Sequence, residues 1–310
     1  MTRARRCGLI PRVPVTLLIA VKDCQKLFFR IVGCSVAIDC PDRPAAELIL
    51  ANYAVMQIRP GDNPHLEYEV RRRGNGSQFC LTRQGHELIT AADEGELLFI
   101  LEKELTIEIQ KIRRELYFLH AAALSLADKA FLIAAASGTG KSTTAWALLH
   151  HGFDYLSDEL APVDLDSLRL EPYPHALCLK KEPPPPYLLP ERTLRMSSTL
   201  HVPVTQLPNS TVPQPTPLRA MFFLEYCPEL KIPSADRITK AEAAARLFVN
   251  ALNPLAHEQD GLAGAAVIAQ KVPSFHLKSA ELGLTCELVK AVLHQLDIRT
   301  HAAPSVNGRC

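Results

Sequence analysis

The sequence has almost no net charge: 34 Lys+Arg against 33 Asp+Glu leave +1 over 310 residues. Proteins that bind polyanions concentrate positive charge, so neither nucleic acid nor an anionic membrane surface is an expected partner. No apolar run approaches the ~18 residues a membrane-spanning helix needs. Residues 1–6 are basic and 14–21 mostly apolar, which imitates a secretion signal, but Pro11, Arg12 and Pro14 interrupt the run and no clean small-residue cleavage site follows. The nine cysteines are odd in number and include no CxxC pair. That argues against a disulfide framework and a zinc knuckle, and free thiols in a reducing cytosol are the expectation. Internal repeats are absent. The chain is 47% hydrophobic and 22% charged, ordinary values that exclude a disordered chain, a coiled coil and a collagen-like fibre. Its length suggests two compact units.

The first unit is expected over 1–115, with one strand possible at 15–21. Strand-like texture continues at 28–32, 35–38, 68–72 and 78–82, where β-branched and aromatic residues lie between turn signals. Residues 67–73 and 77–82, joined by Gly74-Asn75-Gly76, read as a hairpin. Apolar residues Leu97, Leu98, Leu101, Leu105, Ile107, Ile109 and Ile112 predict a long helix over 93–116. This half offers no nucleophile, metal set or phosphate loop and reads as a small α+β accessory domain.

The second unit, 116–300, alternates strands with helices and is expected to be α/β, with 301–310 as a tail. Runs at 121–126 and 130–135 read as a hairpin. Helices are predicted over 141–151, from a Thr239-Lys240-Ala241-Glu242 capping box to about 252, near 259–271 and over 284–296. Strands are predicted at 155–157, 160–163, 220–226 and 274–278. Between 182 and 217 prolines crowd the chain. Proline fixes φ and donates no backbone hydrogen bond, so a long loop is expected there, one able to close over a bound acceptor.

The residues with the clearest chemistry are Ala135-Ala136-Ser137-Gly138-Thr139-Gly140-Lys141-Ser142-Thr143, between an apolar strand and a helical pattern. This is the setting of a phosphate-binding loop. Ser137, Gly138, Thr139, Gly140, Lys141, Ser142 and Thr143 are the candidate nucleotide contacts. The glycines let backbone N–H groups turn around an anion at a helix N-terminus, Lys141 reaches the β- and γ-phosphates, and Ser142 offers a hydroxyl to magnesium. One position departs from the usual pattern: Ala135 stands where the first glycine is common. If that position needed a positive φ, alanine would cost about 1 kcal/mol. Asp158-Glu159, one helix further on, are two acids at a strand end, one suited to accept a proton and the other to help hold magnesium. If the strand continued, they would point to opposite faces. His120 precedes the strand that leads into the loop. Lys180 and Lys181 are candidate anion contacts, and Arg219 is a candidate charge stabiliser.

Together, Leu119-His120-Ala121-Ala122-Ala123, the Ser137–Thr143 segment and Gly152-Phe153-Asp154-Tyr155-Leu156-Ser157-Asp158-Glu159 resemble the catalytic domain of bacterial HPr kinase/phosphorylase and its kinase-like relatives. The likeness spans roughly 116–300 and is sharpest over 119–181. It implies a P-loop core akin to the nucleotide domain of phosphoenolpyruvate carboxykinases, phosphorylating a hydroxyl, usually of serine, with ATP and magnesium. It further implies Lys141 and Ser142 on phosphate and metal, Asp158 as the base toward the acceptor, Glu159 as a metal ligand, and His120 near the γ-phosphate. A protein or peptide acceptor and a homo-oligomer follow from the same likeness. The glutamate–arginine–glycine segment of the HPr enzymes is missing; residues 173–181 and then prolines stand there. A peptide or other small acceptor is therefore as plausible as HPr. A nucleotide-binding regulator without transfer and a carboxykinase-type enzyme are the competing readings.

Overall fold

The computed structural model describes residues 26–61, 63–74 and 76–301. The strand expected at 15–21 and nearly all of the tail lie outside these residues. What is described is a mixed α/β architecture with three sheets and six α-helices.

The first sheet joins β1 (Lys26–Ile31), β2 (Cys34–Asp39), β3 (Leu66–Arg72), β4 (Phe79–Arg83) and β5 (His86–Ala91) in sequence order. β1 and β2 meet at a tight turn, with Val32 at φ 46° and Gly33 at φ 79°. β2 and β3 are parallel, and parallel neighbours need a crossover. Helix α1 (Arg43–Tyr53) supplies it, and the sequence reading missed it. Its start is well marked: Asp42 caps it by accepting from the Ala45 N–H, and Pro44 sits in the first turn. Its buried residues Ala45, Ala46, Leu48, Ile49, Asn52 and Tyr53 recur at helical spacing. The strand-like texture on both sides hid this short segment. Helix α2 (Glu94–Ile112) is capped by Asp93 and ends earlier than expected, because Leu116 already opens the next strand.

The second sheet contains β6 (Leu116–His120), β7 (Ala122–Leu126), β8 (Lys129–Ala134), β9 (Asp154–Ser157), β10 (Leu160–Asp164) and β11 (Arg169–Leu170), with helix α3 (Lys141–His150) between β8 and β9. β7 and β8 form the expected hairpin, turning at Ala127 and Asp128, both with positive φ. Gly152, at φ 86°, ends α3 as a left-handed cap.

The proline-rich stretch differs from its expectation. β12 (Leu177–Leu179), β13 (Leu194–Arg195) and β14 (Leu200–Val202) make a separate three-stranded sheet, order β12-β14-β13. Residues 191–202 hold no proline, which leaves their N–H groups free to pair. Tyr187, Val202 and Val204 are buried, and Tyr187 accepts the Trp146 indole N–H through its carbonyl at 3.0 Å. The segment is thus packed, not a free loop.

β15 (Thr216–Tyr226), β16 (Ser234–Arg237) and β17 (Ser274–Ser279) complete the second sheet, which runs β6-β10-β11-β15-β8-β7-β9, with β17 on β15 and β16 on β17. β15 is parallel to β8 and β17; the other pairings are antiparallel. Helices α4 (Lys240–Val249), α5 (Leu262–Lys271) and α6 (Leu282–His301) follow. α4 stops before 252 because the chain turns there to bond β6: His120 N–H donates to the Asn250 carbonyl and Leu252 N–H to that of Phe118, each at 2.8 Å. α5 starts after 259 because Gln259 and Asp260 are left-handed. One apolar core cluster joins Leu97, Leu101, Leu105 and Ile109 of α2 to Leu116, Phe118, Leu160 and Tyr173, so it continues past residue 115.

Candidate functional site

β8 ends at Ala134, and a glycine loop carries the chain into α3. Gly138 has φ 82°, and Gly140, the cap of α3, has φ 97°. A Cβ at either would meet nothing within 4 Å. Glycine is therefore needed for the left-handed backbone, not for space. Ala135 is not among the positive-φ residues, so alanine sits at that position without backbone strain. Thr139 folds the loop by donating its hydroxyl to the Ala136 carbonyl at 2.7 Å, and Lys180 reaches across to the Ser137 hydroxyl at 2.9 Å.

Lys141 opens α3 and is 8% exposed. Its ammonium is buried and has no hydrogen-bond partner among the described residues. The nearest carboxylate oxygen, Glu159 Oε2, is 3.9 Å away. Burial lowers the pKa of this group, against the pull of the Glu159 and Asp158 charges. A buried cation with one long ion-pair contact and no hydrogen bond, beside the free N–H groups of a helix N-terminus, has the chemistry that suits an anion.

The two acids part company where β9 ends. Ser157 Oγ accepts from the N–H groups of Glu159 (3.3 Å) and Leu160 (3.1 Å), turning the chain so that the two side chains diverge. Glu159 is partly exposed and faces the loop: its Oε2 lies 3.0 Å from His120 Nε2. Burial raises its carboxyl, but the His120 bond and the Lys141 charge outweigh that and hold it at about 2. Asp158 is fully buried. It accepts the Tyr155 hydroxyl at 2.7 Å and the Cys178 N–H at 3.0 Å. Burial, reinforced by the Glu159 charge, pushes its pKa up to about 7.

These elements border a groove of about 1080 Å³, lined by His120, Lys141, Ser142 and Glu159. Phe99, Glu102 and Lys103 of α2 and Met196 to Thr199 also line it. The structure thus gathers Ser137, Gly138, Gly140, Lys141, Ser142, Thr143, His120, Glu159, Lys180 and Lys181 around one groove. Asp158, expected as the base toward the acceptor, has no exposed surface and does not line the groove; its two oxygens accept from the Tyr155 hydroxyl and the Cys178 N–H. Arg219, on β15, does not line the groove either.

Sequence reasoning missed Glu102 and His175. His175 is fully buried, with Nδ1 3.1 Å from Glu102 Oε1 and Nε2 3.4 Å from Asp158 Oδ1. A signal for Glu102 existed: at 98, 102, 105 and 109 it occupies a place in the apolar stripe of α2, where an acid is out of character. His175, in an irregular segment, carried none.

Among the described residues no group of three or more His, Cys, Asp or Glu side chains is arranged to hold a metal ion. Magnesium seldom requires one, since it takes one or two carboxylates and completes its shell with water and phosphate; Ser142 and Glu159 are the donors at hand. Among these residues, too, no helix is long and apolar enough to cross a membrane, and Cys34, Cys40, Cys80, Cys178, Cys227 and Cys286 are free.

No protein-family model matches the chain, and none of the curated proteins does. Among solved structures, the Hpr(Ser) kinase/phosphatase from Coxiella burnetii aligns with 59% of this chain and 98% of its own, at 13% identity and a TM-score of 0.32. That is a weak structural likeness, and no role is carried over from it.

Proposed function

We propose that the groove binds magnesium–ATP and that the protein is a kinase passing the γ-phosphoryl group to a hydroxyl, of serine in a protein or peptide. The observation that carries this reading is Lys141. Burying an ammonium costs several kcal/mol; Lys141 makes no hydrogen bond and has only the Glu159 carboxylate at 3.9 Å against it, and a polyphosphate would supply the missing hydrogen bonds. The open space at Gly138 and Gly140 and the free N–H groups at the start of α3 suit the same ligand. The finer reading of the fold, a phosphate-loop core like that of HPr kinases and phosphoenolpyruvate carboxykinases, rests on these same residues and belongs to the proposal. So does a reducing cytosol, which the free cysteines suit.

In this reading the loop amides and Lys141 hold the phosphates. Ser142 and Glu159 would hold magnesium, whose charge would offset that of the phosphate oxygens. His120, bonded to Glu159, would stand beside the γ-phosphate. Glu159 keeps the metal-ligand role that the resemblance gave it, and Asp158, buried behind it, supports it without facing the acceptor. Catalysis is then mostly positioning and charge stabilisation. The burial of Asp158 favours one competing reading, a regulator that binds ATP without transferring phosphate.

Titration of the full chain with ATP at increasing magnesium, followed by γ-labelled ATP, tests both. A kinase binds ATP with magnesium and moves label to a hydroxyl or slowly to water, and Glu159→Gln raises its magnesium requirement. Binding without any movement of label selects the regulator. Absence of ATP binding at every magnesium concentration sinks both.

A further inference from the structure

His175 lies sealed between two acids from distant parts of the chain, Glu102 on α2 and Asp158 after β9. It is fully buried, and its ring stacks obliquely on Tyr173, with centroids 4.6 Å apart. The two contacts are close, at 3.1 and 3.4 Å. Their alignment is poor, since neither ring nitrogen nor Glu102 Oε1 makes a well-directed hydrogen bond. Close, off-axis contacts between ionisable groups in an apolar interior contribute little to folding. Apolar side chains of similar volume would often stabilise the same space better. Burial accordingly raises the Glu102 carboxyl, against the favourable His175 charge.

The arrangement does have a geometric consequence. Asp158 accepts hydrogen bonds from the Tyr155 hydroxyl and the Cys178 N–H, and the His175 ring packs against its Oδ1 at 3.4 Å. The next residue is Glu159, the acid that faces His120 and Lys141. The other end of the chain, Glu102, borders the groove from α2. We infer that Glu102 and His175 are positioning residues: they fix Asp158, and through it the turn that aims Glu159 into the groove. The helix of the first region is thereby a working part of the site. The inference rests on the proposed reading of the groove as a phosphoryl-transfer site. Its physical basis is that a displacement of about 1 Å in a reacting group costs on the order of 100-fold in rate.

The test uses the full-length chain with magnesium–ATP as the probe, water serving as acceptor. Glu102→Gln keeps the size and removes the charge. It is expected to bind magnesium–ATP within about 2-fold of wild type while phosphate release falls about 10- to 100-fold, the loss residing in kcat and not in KM. Adding Glu102→Gln to Asp158→Asn should cost nothing further, because both act through one chain of contacts. His175→Gln is the second variant and should behave like Glu102→Gln. The unfolding midpoint of Glu102→Gln should not drop, which separates positioning from general damage. Wild-type turnover in Glu102→Gln, or losses that multiply in the double variant, would overturn the inference and leave the proposed function standing. A wild-type chain that binds no magnesium–ATP sinks the proposed function by itself. Wherever wild-type turnover is absent, unfolding midpoints decide: shifts of Glu102→Gln and Asp158→Asn that add overturn the inference, and shifts that fail to add support it.

Discussion

Charged groups in the first sheet and around the groove obey different rules. In the first sheet they lie near the surface and in pairs: Arg71 with Asp39 at 2.8 Å, Arg72 with Asp42 at 2.6 Å, Arg83 with Glu108 at 2.6 Å. Such pairs are screened by water and contribute up to about 1 kcal/mol each. Around the groove Lys141, His175 and Asp158 are buried, and Lys141 is 3.9 Å from its nearest carboxylate oxygen. The first arrangement costs little and steadies a fold. The second costs stability, and in the proposed reading it is charge kept for a ligand.

The sharpest break in this comparison is to separate the two regions. A chain beginning at Arg114 lacks Leu97, Leu101, Leu105 and Ile109, which share a core with Leu116, Phe118, Leu160 and Tyr173. Each large apolar side chain left uncovered forfeits about 1.5–3 kcal/mol. The fragment is expected to aggregate, as seen by size-exclusion chromatography. A soluble fragment that binds magnesium–ATP would show that the groove does not depend on α2.

Lys141→Met and Arg72→Met should move in opposite directions. The first removes the buried cation: affinity for magnesium–ATP is expected to fall about 10- to 100-fold, the equivalent of about 1.5–3 kcal/mol, while the unfolding midpoint rises. The second should lower the midpoint and leave affinity alone. Nucleotide titration and thermal unfolding of the same samples decide the matter, and a lower midpoint in Lys141→Met would contradict the picture of a charge whose burial its long contact with Glu159 does not repay.

Gly140→Ala should cost about 1–2 kcal/mol, read from denaturant midpoints, because a left-handed φ of 97° penalises any Cβ. No neighbour lies within 4 Å to clash, so Gly140→Asn, which tolerates that conformation better, should recover part of the loss.

The mildest test concerns Asp42, which caps α1 and pairs with Arg72. Asp42→Ala should cost about 1 kcal/mol at neutral pH without touching nucleotide affinity. The Arg72 bond, with help from the Ala45 N–H, holds the Asp42 carboxyl below its usual value. Its contribution is therefore fully present above the unfolded carboxylate pKa of about 3.9 and is lost as pH falls through the lower folded value. The difference between wild type and variant should shrink in acid; a difference that grows would reverse the sign of the linkage.

Local chemistry made much of the groove's glycine loop readable in advance. Gly138, Gly140, Lys141 and Ser142 act within one turn of backbone, so their spacing already specifies a left-handed loop and a helix start. The β7–β8 hairpin, the cap at Gly152 and the amphipathic α2 were legible for the same reason: each is decided by residues within a few positions of one another. α1 escaped because its eleven residues lie between strands, and short periodic segments are easily absorbed into their neighbours.

What the sequence determined alone is the loop, its lysine and the pair of acids, because φ preferences, helix starts and period are local properties. Which acid faces the groove was left to the tertiary structure: Ser157 turns the chain after β9, Asp158 is drawn inward by Tyr155 and Cys178, and Glu159 is left toward His120 and Lys141. The partnership of Glu102, His175 and Asp158 spans 73 positions from Glu102 to His175. Only packing of α2 against the second region creates it, since a contact between remote residues depends on where whole elements dock and not on any local spacing.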